Sequence, residues 1–266
     1  MADRSVDVVS KVPAVTLGFW IIKILATTLG ETGGDAVSIS WLGEASPAAS
    51  DTSVNGYLVG TAIFGLVLIA LVWLQIKARA FNPWLYWLTI IASTTAGTTL
   101  ADFATRSIGL GYPGGSILLA SLVLISLLSW RRAVGTVDVN RIESARAETF
   151  YWVTITFSQT LGTALGDWVA DGPLGYSGAA LMFGGALAVL AALYFATGIS
   201  RVLLFWMAFI LTRPLGATVG DFLDKPVGKG GLDFSRPLAT GVLAAAIIAL
   251  IAILPQRAGG HPQNAS

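Results

Sequence analysis

The sequence contains no cysteine, a single histidine (His261), and only 12% charged residues in a chain of 266. Without cysteine, disulfides, iron–sulfur clusters and thiol nucleophiles are excluded. With one histidine in a polar C-terminal stretch, zinc sites of the Cys/His type and Ser-His couples are excluded too. The shortage of charge is equally restrictive, because soluble domains carry about 25% charged residues. A soluble enzyme is therefore ruled out, and a net charge of +1 lacks the basic excess of a nucleic-acid binder. What is present in quantity is apolar: 55% of residues, together with 30 glycines and a mean hydropathy of +0.73. That excludes a disordered chain and predicts an all-α integral membrane protein in contact with the lipid bilayer.

About 20 apolar residues cross a bilayer core of roughly 30 Å. Windows of that length predict eight spans, near 14–33, 55–76, 84–103, 114–130, 149–168, 177–199, 202–221 and 237–254. They form a single transmembrane domain over 1–254, with 255–266 expected to be a disordered cytoplasmic tail. The first span is too long for a signal peptide, contains Lys23 and lacks a cleavage site, so it is expected to be retained. Ten Lys and Arg residues fall on the side of the termini and four on the other. The positive-inside rule then places both termini in the cytoplasm of a bacterial inner membrane.

Internal self-similarity is the strongest signal. Trp20, Trp87, Trp152 and Trp206 are each followed ten residues later by glycine, at Gly30, Gly97, Gly162 and Gly216. Five residues further on each copy reaches aspartate, at Asp35, Asp102, Asp167 and Asp221. The pattern W-x9-G-x3-[GA]-D marks every odd-numbered span, so the chain divides into four two-helix repeats near 14–76, 84–130, 149–199 and 202–254. Two spans per unit make the copies parallel.

The segments Thr28 to Asp35 and Thr212 to Asp221 resemble a family of bacterial membrane proteins defined by a two-span repeat occurring four times. That resemblance covers roughly 14–254 and implies architecture, with no assigned activity. Gly-Asp with a nearby Glu on repeated spans is also similar to the acidic motifs of bacterial manganese and calcium exporters.

At 1.5 Å rise per residue, Trp and Asp lie about 22 Å apart. The Trp thus reads as an interfacial or packing aromatic and the Asp as a residue near the outer helix end. Gly30, Gly97, Gly162 and Gly216 stand four residues before Gly34, Ala101, Gly166 and Gly220. This small-xxx-small spacing suits helix contact, and the glycine-rich first copy offers carbonyl ligands as well. Acids in spans are expensive and mark function. Asp35, Asp102, Asp167 and Asp221, with Glu31 one turn before Asp35, are expected to form a cation-attracting vestibule aided by the negative ends of four helices.

Carboxylate, hydroxyl and carbonyl oxygens suit H+, Na+, Mg2+, Ca2+ or Mn2+. Thr28, Thr95, Thr160 and Thr163 are candidate hydroxyl ligands, or else bond their own helix carbonyls. Lys23 and Arg213 interrupt apolar spans and are expected to pair with motif carboxylates as gates. Together these features predict a secondary transporter of a small, Mn2+-like divalent cation exchanged for protons, with no resident cofactor and no nucleic-acid partner. A proton-coupled carrier or channel for an organic solute is the alternative. An intramembrane aspartyl protease fits poorly, because the G-x-G-D pattern is absent; the chain is expected not to be an enzyme.

Overall fold

The computed structural model describes residues 10–42, 55–142 and 144–260. Glu44, Asp51, Glu143 and His261 lie outside the described residues. Among the described residues eight α-helices follow one another: α1 (Leu17–Asp35), α2 (Gly56–Lys77), α3 (Pro83–Asp102), α4 (Gly111–Val134), α5 (Ala145–Ala170), α6 (Gly175–Ala196), α7 (Arg201–Asp224) and α8 (Arg236–Ile253).

Local sequence explains where the motif helices begin. Thr16, Asn82, Ser144 and Ser200 each accept a hydrogen bond from the backbone amide three residues on, at the starts of α1, α3, α5 and α7. Each satisfies one of the amides that a helix N-terminus leaves open. The Gly-Tyr connections open α4 and α6 with Gly111 and Gly175 at φ +65° and +63°, a backbone state that glycine adopts without penalty.

The motif helices pack in a closed ring, α1 on α3, α3 on α5, α5 on α7 and α7 on α1. Outside them, α2 packs mainly on α3, α4 on α5, α6 on α7 and α8 on α1. Each return helix therefore leans on the motif helix of the next repeat, and the last repeat closes onto the first.

Polarity is arranged inside out. Outward positions on the return helices are large and apolar, such as Leu66 and Ile69 on α2, Ile117 on α4, Leu181 on α6 and Val242 on α8. The interior holds Thr27, Thr94, Gln159, Arg213 and Glu31, all buried. Such an apolar exterior is stable only in lipid. Helices α2, α4, α6, α7 and α8 are long and apolar enough to cross a membrane, and the polar residues that face the inside of the ring come from α1, α3, α5 and α7.

One expectation is revised at the C-terminus. The predicted tail begins in ordered backbone: Ala14 N–H donates to Arg257 O and Gly259 N–H to Val12 O, at 2.8 and 2.7 Å. Residues 261–266 of that stretch lie outside the described residues.

Candidate cation site

The ring closes because one glycine recurs at each seam. A Cβ added to Gly30 would collide with Thr94, one on Gly97 would lie 3.0 Å from the backbone of Gln159, one on Gly162 would collide with Arg213, and one on Gly216 with Thr27. Thr94, Gln159, Arg213 and Thr27 all stand seven residues after their own motif Trp. One turn further on the interlock repeats: Gly34 meets Thr98, Gly166 meets Ala217 and Gly220 meets Glu31, with added Cβ atoms at 3.0, 2.9 and 2.8 Å. The same offset at successive turns means that the four helices run in the same direction. Close approach of this kind is what small residues permit. It also admits interhelical hydrogen bonds, from Thr27 Oγ1 to Thr212 O at 3.1 Å and from Thr98 Oγ1 to Gly30 O at 3.0 Å.

The axis is thereby built in layers one turn apart. At the end nearer the N-termini, Trp87, Trp152 and Trp206 are buried with Phe19, Tyr86, Tyr151, Phe205 and Phe209, and the Tyr86 and Tyr151 hydroxyls meet at 2.6 Å. The expected packing role of the Trp residues is what these contacts describe.

Above this aromatic floor sits Lys23, fully buried. Its Nζ lies 4.2 Å from the Phe209 ring centroid and 3.5 Å from Gln159 Oε1. Among the described residues no carboxylate pairs with it; Glu31, the nearest motif acid on α1, is two turns away and already engaged by Arg213. Arg213, also fully buried, holds Glu31 Oε2 at 2.8 Å. The same Nη2 reaches Thr98 Oγ1 at 2.6 Å and also contacts Thr163 Oγ1. Glu31, Thr98 and Thr163 are equivalent positions, each eleven residues after its Trp, so one guanidinium nitrogen gathers the same register from three repeats.

The next layer holds the four aspartates expected to form the cation-attracting vestibule. All four are buried. Arg106 spans Asp102 and Asp167 at 3.0 and 3.1 Å, and Lys225 spans Asp221 and Asp35 at 2.9 and 3.0 Å. Arg236 adds a contact to Asp224 at 3.1 Å. Carboxylates removed from water need such partners. Burial works against the charge of Lys225, but Asp35, Asp221 and Asp224 outweigh it and hold its ammonium well above the ordinary lysine pKa.

The helices also run past the aspartates, α1 and α3 as π-helical turns over Ala36–Trp41 and Phe103–Ser107. The negative helix ends are therefore displaced from the ring, and side-chain charge dominates it.

Three expected hydroxyl ligands lie elsewhere. Thr28, Thr95 and Thr160 donate to Ile24, Ile91 and Thr156 carbonyls four residues back, at 3.0, 2.8 and 2.9 Å. They stand eight residues after the Trp, one position off the axial register, whereas Thr163 and the unforeseen Thr98 are on it. Arg106 and Lys225 were also missed. Both stand four residues after a motif Asp, the spacing of a helical ion pair.

Even with these cations, acids converge. Glu31, Asp167 and Asp221 offer carboxylate oxygens within 4.8 Å of one another, and Asp35, Asp221 and Asp224 do the same. Asp167 Oδ1 has no hydrogen-bond partner among the described residues.

Fold and site together define a polytopic α-helical membrane protein made of four cyclically interlocked repeats around a buried charged axis. The chain belongs to the family described as Repeat of Unknown Function (DUF347), whose model matches four times, over residues 18–81, 85–136, 150–200 and 204–255. No curated protein and no solved structure matches it, and the likeness to manganese and calcium exporters finds no support in these comparisons.

Proposed function

We propose that the protein is a secondary transporter of a small cation, in a bacterial inner membrane with both termini in the cytoplasm. The observation that carries this reading is the convergence of Glu31, Asp167 and Asp221 on the axis of the ring. Oxygen ligands of this kind favour hard cations. Glu31, Asp35, Asp102, Asp167, Asp221 and Asp224 face Arg106, Arg213, Lys225 and Arg236. When all are ionised, two negative charges stand in excess, which one divalent ion such as Mn2+ balances. Arg213, on Glu31, is positioned as the gate, and exchange for protons preserves the charge balance of a buried site. No nucleotide-binding G-x4-GK[ST] pattern occurs, so a gradient supplies the energy. Ion-pairing of the aspartates to Arg106 and Lys225 supports a binding role over a catalytic aspartyl dyad.

The same mixture of acids and cations favours a second reading, a proton-coupled carrier of a zwitterionic organic solute. Cellular metal content separates the two. Expression of the protein is expected to change Mn2+ accumulation and tolerance, and Asp102→Asn and Asp167→Asn to abolish that change. Unaltered metal content in cells with the protein, without it and with the variants would favour the solute carrier.

A further inference from the structure

The Arg213 guanidinium occupies a position built from oxygen ligands. Its Nη2 lies 2.8 Å from Glu31 Oε2 and 2.6 Å from Thr98 Oγ1, and it also contacts Thr163 Oγ1. Nη1 adds Thr27 O at 3.4 Å. One carboxylate and two hydroxyls around a single positive centre form a ligand set that a hard metal ion also accepts. Two more oxygens are close by, since Asp167 and Asp221 each offer one within 4.8 Å of that of Glu31. Asp167 Oδ1 is buried and has no hydrogen-bond partner among the described residues, although a carboxylate oxygen without a donor or cation is costly in a dry interior.

Two features show that the cage belongs to the ring and the arginine to one copy. Glu31, Thr98 and Thr163 share one register, and the fourth copy has Ala217 there, the size that leaves room for a guanidinium entering from one turn below. The arginine stem is held by Gly162, where an added Cβ would strike its Cβ and Cγ. Its Nε has no hydrogen-bond partner among the described residues, so the group is anchored mainly at the end that lies in the cage.

We propose that Arg213 is a tethered stand-in for the transported cation: its guanidinium fills the Glu31–Thr98–Thr163 cage when no ion is bound, and an incoming ion takes the cage, with Asp167 and Asp221 as added ligands, by displacing it. The proposal rests on the cation-transport reading and adds competition to it. The empty transporter is kept neutral at Glu31, and uptake requires an ion that outcompetes a guanidinium, which favours divalent over monovalent cations.

The test measures Mn2+, Ca2+ and Na+ binding to the purified full chain by equilibrium dialysis, for wild type, Arg213→Gln and Asp167→Asn. With the competitor gone, Arg213→Gln is expected to bind Mn2+ at least tenfold more tightly than wild type, and Asp167→Asn at least tenfold more weakly. Because Arg213→Gln leaves Glu31 unpaired, its thermal midpoint is measured as well. Saturating Mn2+ is expected to raise that midpoint by more than it raises the wild-type one, as ligand linkage requires. Arg213→Lys, which keeps the charge on a shorter stem, supplies a second variant and is expected to lie between wild type and Arg213→Gln. Wild type binding Mn2+ with Arg213→Gln and Arg213→Lys binding it no more tightly would overturn the stand-in and leave the transport reading intact. No binding of any of the three ions to any variant would overturn both.

Discussion

Gly216 of the fourth repeat lies directly against Thr27 of the first, and this contact makes a ring of what would otherwise be a row of four repeats. A Cβ at Gly216 would strike the Thr27 side chain and come within 2.8 Å of its backbone carbonyl carbon, an atom that cannot turn aside. Gly216→Ala is therefore expected to force α1 and α7 apart and lower stability by about 1–3 kcal/mol, the usual range for overpacking. Gly65 on α2 has nothing within 4 Å of its added Cβ, so Gly65→Ala is expected to leave the melting temperature unchanged or raise it slightly. Thermal melting of the two variants in detergent checks the contrast.

Arg106 and Lys225 do the same task at opposite sides of the ring, each joining its own motif Asp to that of the next repeat. Arg106→Gln is expected to destabilise by about 1–3 kcal/mol, because it leaves Asp102 and Asp167 uncompensated. The partial exposure of Arg106 keeps the loss below that of a fully buried pair. Adding Asp167→Asn removes one of the orphaned charges and is expected to recover part of that loss. A double-mutant cycle measures the recovery, and strictly additive losses would contradict the bridge.

Lys23 and Arg213 are both fully buried cations, yet their surroundings predict opposite responses to methionine. Lys23 rests on the Phe209 ring with one long contact to Gln159, so Lys23→Met keeps the volume and uncovers no carboxylate. It is expected to be neutral or stabilising by about 1 kcal/mol or more. Arg213→Met strands Glu31 and is expected to cost about 3–5 kcal/mol. Denaturation of the two purified variants under one set of conditions gives the comparison.

The repeats, the motif register and the eight helices were legible because duplication copied one pattern four times, and spacing along a helix survives in sequence. The meeting of Gly30 with Thr94 and of Gly162 with Arg213 was not, since it depends on which neighbour each helix faces. Arg213 itself could be singled out as an intruder at the position of Thr27, Thr94 and Gln159. That it reaches one turn along to Thr98 and Thr163 needed the length of its side chain in three dimensions. The pairing of every motif Asp was missed for a different reason. Copies two and four carry the cations Arg106 and Lys225 at a register where copies one and three have Ile39 and Asp171, so a search for fourfold identity passes over a twofold device. The axial hydroxyls show how fine the distinction is: Thr160 and Thr163 are three residues apart, and only the second faces Arg213.

The central claim is that the acids on the ring axis hold a cation, and anomalous diffraction from crystals of the full-length protein grown with Mn2+ tests it most directly. A peak on the axis bounded by Glu31, Asp167 and Asp221, absent from crystals of Asp167→Asn, is the predicted result. An axis without anomalous density, with Arg213 still seated on Glu31 at saturating Mn2+, would contradict it.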